Sequence, residues 1–375
     1  MTAIATPRTE AAPLRAARAR TAGAAPRGSD VLRSDAVPRQ AVWLVVVDPT
    51  GRRGPQLVRF AELPRLLRAG DLVVVNDAAT LPASLPGATA DGRVFEFRLS
   101  GPIDAGRLPG VLLGPGDHRT RTEDRPPPPR VAPGDHVTVA GLPATVLAAA
   151  GRRVELMVRC DPDRWWQILY AAGSPVQYAH RPDPLPLWSV QTAYAGRPWA
   201  AEMPSAGRPL TWDVVLGLRR AGVAIAALTH AAGLSSTGDD ELDRALPWPE
   251  RYEIPARTAD AITAARTRGG RVIAVGTTVV RALESAVDPA GGDRPVRAGS
   301  GVSTLRLDAA YRPRVVSGLI SGLHVPGESH FELLTAFAPR EPLRQAIALA
   351  AGHGLSGHEL GDACLVLRDH ESQRA

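Results

Sequence analysis

Short apolar runs of Val, Ile, Leu and Ala recur along this chain, each followed by a polar turn or by a stretch with apolar residues at helical spacing. AVWLVVVDPTGR (41–52) reads as a strand entering a Pro-Thr-Gly turn, with QLVRF (56–60) as its hairpin partner. Leu63, Leu66 and Leu67 mark a short helix stopped at Gly70, and Leu72 to Val75 form a buried strand that ends in Asn76-Asp77. Between Pro86 and Arg153 the pattern changes to Gly- and Pro-dense sequence with brief strand-like pieces (RVFEFRLS, GVLLG, DHVTVAG, PATVLAA), and RVELMVR follows Gly151. Short strands at turn spacing predict a small β-barrel or sandwich.

Downstream, WWQILYAAGSPV (165–176) predicts a helix in which Trp165 and Trp166 serve the core. Residues 177–211 show almost no periodicity. WDVVLGLRRAG (212–222) is an amphipathic helix, VAIAALTH (223–230) a buried strand, 231–255 a loop, and TADAITAARTRG (258–269) a helix. That alternation is the mark of an α/β unit. STLRLD (303–308), RPRVVSGLIS (312–321) and GDACLVL (361–367) read as further strands, and LHVPGESHFELLTAFA (323–338) contains a helix start.

The pattern centres on RVIAVGTTVVRALES (271–285). Val272 to Val275 have the β-branched, continuously apolar character of a strand buried on both faces. Gly276 permits a sharp turn and close backbone approach. Thr277 and Thr278 read as caps of the following helix, whose N-terminal N–H groups and hydroxyls can hold an anion or a sugar oxygen. Arg281 and Glu284 lie within about a turn of each other on that helix. An ordinary strand-to-helix turn with a threonine cap fits this stretch equally well. The Asn76-Asp77 pair is likewise either an Asx turn or an amide and a carboxylate presented beyond a strand's carboxyl end. His324 stands beside a Pro-Gly loop next to a helix start, Glu328, Ser329 and His330 lie at that start, and Asp362 begins the last strand as a cap or a site residue.

Composition narrows the classes. The 375 residues suffice for two domains or one with an insertion: 31–85 and 154–375 as a large α/β unit, 86–153 as an inserted all-β unit, and 1–30, rich in Ala, Arg, Pro and Thr, as a disordered tail. No apolar run reaches membrane length and no h-region follows the N-terminal arginines, so a cytoplasmic protein is expected. Cys160 and Cys364 lack metal-ligand spacing. The net charge of +6 comes from a chain without a single Lys. It is compatible with RNA binding, yet no Arg-rich segment interleaves with aromatics as a stacking platform would. P-loop, dinucleotide and nucleophile-elbow motifs are missing, so chemistry without a metal or redox cofactor is the default.

LPRLLRAGDLVVVNDAATLPASL, QTAYA, AEMPSAG, RYEIPARTADAITAARTRGGRVIAVGTTVVRALES, SGLISGLHVPGESHFELLTAFA and GDACLVL together resemble, in order and spacing, the S-adenosylmethionine:tRNA ribosyltransferase-isomerase family. The resemblance spans nearly everything after the tail. It implies a large α/β barrel-like domain interrupted by a small inserted all-β barrel. It also implies an enzyme that moves the ribosyl part of S-adenosylmethionine onto 7-aminomethyl-7-deazaguanine in tRNA and isomerises it, releasing adenine and methionine and giving epoxyqueuosine. S-adenosylmethionine is then a substrate, no cofactor or metal is needed, tRNA is the second partner, and a monomer is expected. On this resemblance Asn76, Asp77, Gly276, Thr277, Thr278 and Arg281 would hold S-adenosylmethionine, while His324, Glu284 and Asp362 would orient it or move protons. The chain departs from the family pattern at Ala78-Ala79, Arg208 to Leu210, Ala231 to Thr237 and Gly322-Leu323. Those departures keep two other readings in play: a relative using the same donor on a small molecule or cleaving it, and one that only binds RNA or a nucleoside.

Overall fold

The computed structural model describes residue 32 and residues 37–178, 183–289, 294–357 and 360–368; the tail expected at 1–30 lies outside the described residues. β1 (Trp43–Val47) and β2 (Gln56–Arg59) form the hairpin expected from their turn, with Trp43 opposite Arg59 and Val46 opposite Gln56. A single helical turn, α1 (Leu63–Leu66), leads to β3 (Leu72–Asn76) and the short β4 (Ala78–Thr80). The next six strands are β5 (Ser84–Thr89), β6 (Val94–Leu99), β7 (Arg107–Leu113), β8 (His136–Val139), β9 (Leu142–Ala150) and β10 (Arg153–Val158). They close into a barrel in the order β10-β7-β6-β5-β8-β9. Phe95, Phe97, Leu108, Leu112 and Leu156 fill it. Gly110 is required there, because a Cβ would stand 2.3 Å from the Phe97 ring.

After the barrel come α2 (Pro162–Ala172), β11 (Arg197–Ala200), α3 (Trp212–Arg220), β12 (Ala224–His230), α4 (Asp240–Arg244) and β13 (Glu250–Ile254). Then follow α5 (Ala256–Thr267), β14 (Val272–Val275), α6 (Thr277–Ser285), β15 (Gly299–Ser303), β16 (Gly318–Gly322), α7 (Ser329–Leu334), α8 (Arg340–Gly352) and β17 (Ala363–Leu367). Nine strands make one mixed sheet in the order β15-β13-β12-β3-β14-β16-β17-β1-β2. Side chains alternate between its faces, as the period of two demands. Leu72, Val74, Val272 and Ala274 pack with Ile262 of α5 and Val279 and Leu283 of α6. Val73, Val75, Ile273 and Val275 pack on the other side with Val214 and Leu218 of α3. Burial on both faces is why these strands read as unbroken apolar runs.

The sheet's central pairs, β12 with β3, β3 with β14 and β14 with β16, are all parallel. Four carboxyl ends therefore open on one edge, the usual place for a ligand in an open α/β sheet. The fold class is the expected one, a large α/β sheet accompanied by a small all-β barrel. Three local readings change. The strand expected at 303–308 lies earlier, because β15 ends at Ser303; its Gly301 admits the Tyr252 ring where a Cβ would sit 2.5 Å away, and glycine-serine sequence carries no strand signal. The expected loop 231–255 contains α4 and β13. The aperiodic 177–211 segment contributes β11, which pairs in parallel with β4.

Candidate active site

Gly276, not a threonine, caps α6: its φ of 94° turns the chain from β14, and no side chain caps the helix. This corrects the expected threonine cap. Thr277 and Thr278 are the first two helical residues, whose backbone N–H groups have no acceptor within the helix. Both threonines, half-buried, line a cavity of about 1090 Å³ together with Gly276, Arg281 and His324. The cavity extends from the ends of β12, β14 and β16 to Arg121 and Thr122, which lie between barrel strands β7 and β8.

Arg281 lines the cavity, but four of its five guanidinium N–H groups are given to protein acceptors. It pairs with Glu250 and donates to the carbonyls of Leu305 (3.0 Å), Ser303 (3.2 Å) and Trp248 (3.3 Å). It thereby ties together three chain segments that form one wall. Glu250 also accepts from the Gly233 backbone N–H. Burial raises its carboxyl above the usual range, with Arg281 opposing. Behind it, fully buried His230 has its Nε2 3.6 Å from the Glu250 carboxylate, and burial with the nearby Arg281 charge pushes its pKa down to about 3. His230 is neutral at pH 7.

On another wall His324 stacks on His330, with ring centroids 4.7 Å apart and planes 19° apart. His324 Nδ1 lies 3.3 Å from Glu328. Burial, then His324 and Arg281, hold His330 far below the ordinary imidazole value, so His330 offers a neutral ring to the cavity.

Glu202 lines the same cavity. Its carboxylate accepts hydrogen bonds from the Tyr178 hydroxyl, the Ser235 backbone N–H (2.7 Å) and the Ser235 hydroxyl (2.5 Å). Burial raises its carboxyl above the usual range, while Ser235, Tyr178 and the charge of Arg98 pull the other way. Among the described residues no three His, Cys, Asp or Glu side chains are grouped as metal ligands.

The family model described as queuosine biosynthesis protein matches residues 31–366. The chain belongs to the queuosine biosynthesis protein family. Curated relatives named S-adenosylmethionine:tRNA ribosyltransferase-isomerase include one from Gluconacetobacter diazotrophicus, 34% identical over 88% of this chain and 91% of its own length. Another, from Thermus thermophilus, is 34% identical over 88% of this chain and 94% of its own. A third, from Sorangium cellulosum, is 36% identical over 88% and 92%. A crystal structure of an S-adenosylmethionine tRNA ribosyltransferase from Thermotoga maritima aligns over 90% of this chain and 97% of that one, with 22% identity and a TM-score of 0.48.

Four residues read from the motifs of this family do not line the cavity. Asn76, at the end of β3, donates to the His230 carbonyl (2.9 Å) and accepts from the backbone N–H groups of His230 and Ala78. It reaches the site only through a 3.4 Å contact with the Thr278 hydroxyl. Asp77 accepts from the Thr229 hydroxyl at 2.6 Å. Glu284 accepts from the backbone N–H groups of Arg314, Val315 and Val316 and from the Tyr311 hydroxyl. Asp362 accepts from the backbone N–H groups of Trp43 and Ser356, fastening β1 to the C-terminal segment. Both oxygens of the buried Glu284 and Asp362 carboxylates accept from backbone N–H groups.

Two of the segments that depart from the family pattern have defined roles. Arg208 donates to the carbonyl of Val37 at 2.7 Å. In the 231–237 loop, Ser236 and Thr237 are gripped by Asp243 of α4 through three hydrogen bonds of 2.6 to 2.9 Å. Tyr178, Glu202, Glu250 and His330 are absent from the set read from sequence. Glu202, the one charge in AEMPSAG, and His330, at the helix start after His324, carried a local signal among them.

Proposed function

We propose that this chain is an S-adenosylmethionine:tRNA ribosyltransferase-isomerase, acting on 7-aminomethyl-7-deazaguanine in tRNA to give the epoxyqueuosine nucleoside. The observation that carries the reading is family membership across residues 31–366 joined to a cavity at the ends of parallel strands β12, β14 and β16. About 1090 Å³ is at the upper end of ligand pockets and accommodates a nucleoside-sized donor with a flipped base beside it.

Gly276, Thr277 and Thr278 hold the ribose and carboxylate oxygens of S-adenosylmethionine through hydroxyls and the free N–H groups of the first helical turn. Asn76 orients Thr278, and Asp77 fastens the end of β12. Arg281 shapes the wall, with its charge directed into Glu250. The sulfonium acidifies the adjacent 5′-carbon, adenine must depart, and the amine of the acceptor must attack, so the site needs a proton acceptor and a proton donor. His324, stacked on neutral His330, serves the departing base. Glu284 and Asp362 act on the site at one remove, by holding the backbone that frames it.

The test is incubation of the purified protein with S-adenosylmethionine, with and without tRNA carrying 7-aminomethyl-7-deazaguanine, following adenine and methionine. Release that requires the tRNA is expected. Release without it would replace the acceptor, and no release in either case would end the proposal.

A further inference from the structure

Eight carboxylates line the cavity: Glu123, Glu202, Asp240, Asp243, Glu250, Asp308, Glu328 and Glu332. A group that removes a proton from carbon needs a lone pair that no cation neutralises, in a site from which water is largely excluded. Glu250 is paired with Arg281, Glu332 with Arg340, and Glu328 lies against His324. Asp243 carries two hydroxyls and one N–H from Ser236 and Thr237 but is only half-buried, and Glu123 is exposed beside Arg121. Asp240 is exposed, and so is Asp308, which also caps the Ala310 N–H. Glu202 is 7% exposed and accepts only from two hydroxyls and one N–H.

Its two oxygens are not equivalent. Oε1 accepts from both Tyr178 and the Ser235 backbone, whereas Oε2 carries the Ser235 hydroxyl alone. The Tyr178 hydroxyl accepts from the backbone N–H groups of Ser235 (3.2 Å) and Ser236 (3.1 Å), which directs its proton to Glu202. Below the Tyr178 ring, 5.2 Å from its centroid, lies the guanidinium of Arg98, 1% exposed. Arg98 is held by Glu96 at 2.5 Å, by the Thr122 hydroxyl and by the Gln177 carbonyl. Glu96 is also paired with Arg125. A chain of contacts thus runs from β6 of the barrel to the cavity.

Resting on the function proposed above, we infer that Glu202 is the catalytic base and that Tyr178 and Arg98 are positioning residues that aim it. The 5′ C–H bond of S-adenosylmethionine breaks and an O–H bond forms at Oε2 of Glu202. The electron pair stays on the carbon, stabilised by the neighbouring sulfonium.

Because burial raises the Glu202 carboxyl, the active carboxylate form is lost as pH falls through that raised value, giving the rate an acid limb. The charged and titratable groups that act on it are Tyr178, Arg98 and Glu250, the last bound to the same 233–235 loop. Tyr178→Phe removes a donor to the carboxylate and Arg98→Met removes a positive charge. Each is expected to move the acid limb of kcat to higher pH by about half a unit or more.

The experiment measures adenine release from S-adenosylmethionine with the modified tRNA, and binding of S-adenosylmethionine by calorimetry. Glu202→Gln is expected to lower kcat by roughly 100-fold or more, in the range of general base catalysis, with Kd changed by less than about threefold. Deuterium at the 5′-carbon is expected to slow Glu202→Asp more than the wild type. A kcat within about threefold of wild type in Glu202→Gln, or an unmoved acid limb in both Tyr178→Phe and Arg98→Met, would overturn the assignment. The limb shifts decide the matter if Glu202→Gln does not fold. Absence of turnover by the wild-type protein would instead remove the functional reading itself.

Discussion

Single side chains at this site divide between those that face a ligand and those that hold the wall. Thr277 and Arg281 read alike in the sequence, as residues that would hold S-adenosylmethionine. Thr277 is a half-buried residue on the cavity, while Arg281 directs four of its five N–H groups at Glu250 and three carbonyls. Their substitutions should therefore part company. Thr277→Val is expected to weaken S-adenosylmethionine binding about tenfold, the cost of one hydrogen bond, with the unfolding midpoint unchanged. Arg281→Ala leaves Glu250 buried and unpaired and should cost about 3–5 kcal/mol in denaturant unfolding. Equal stability of the two variants would show that Arg281 is not the tie described. At Gly276 the limit is the backbone rather than space: a Cβ would meet Thr278 Oγ1 at 3.5 Å, an ordinary contact, but φ is 94°. Gly276→Ala should cost roughly 1–2 kcal/mol. Local chemistry of this kind is legible in a sequence, since turn, strand end and helix start are neighbours. The partners of Glu202 are not. Tyr178 meets Ser236 across 58 residues, and nothing in either segment announces the other.

Elements were legible wherever both faces of a strand or one face of a helix had to be apolar. β1, β3, β12, β14 and β17 all follow from that rule. β4, β11 and β15 do not, because their stability comes from pairing partners rather than from their own side chains. The central strands carry a further device that periodicity cannot reveal. Asp71, one residue before β3, accepts from Arg271, one residue before β14, through its backbone N–H (2.9 Å), Nε (3.2 Å) and Nη2 (2.6 Å), and from the Arg68 N–H. Burial alone would raise the Asp71 carboxyl. The Arg271 guanidinium and the two backbone N–H groups more than offset it, and the value falls below the ordinary one of 3.8. With the folded value depressed, the stability contributed by Asp71 is full above the unfolded value and is lost as pH falls through the folded one. Asp71→Ala should cost about 3–5 kcal/mol at pH 7, and the difference from wild type should shrink in unfolding curves taken below about pH 4. A difference that stays constant down to pH 2 would contradict the clamp.

The cavity belongs to the molecule rather than to any one part of it. Its walls come from the barrel at Arg121 and Thr122, from the ends of β12, β14 and β16, and from the loop and helix that hold His324 and His330. Those segments are some 200 residues apart in the chain, which is why a motif read in one place locates the site without drawing its outline. A ligand filling the space bridges all three, so its binding free energy adds to global stability. At 100 times its Kd, S-adenosylmethionine should stabilise the folded chain by about 2.7 kcal/mol and raise Tm in a concentration-dependent way. The same titration on Glu202→Gln should give nearly the same rise, because a base that acts only on the 5′ C–H bond contributes little to ground-state binding. On Thr277→Val the rise should need roughly tenfold more ligand. If Glu202→Gln lost the shift and Thr277→Val kept it, the two walls would have exchanged roles: the donor would be held at Glu202, and the first turn of α6 would be no more than the start of a helix.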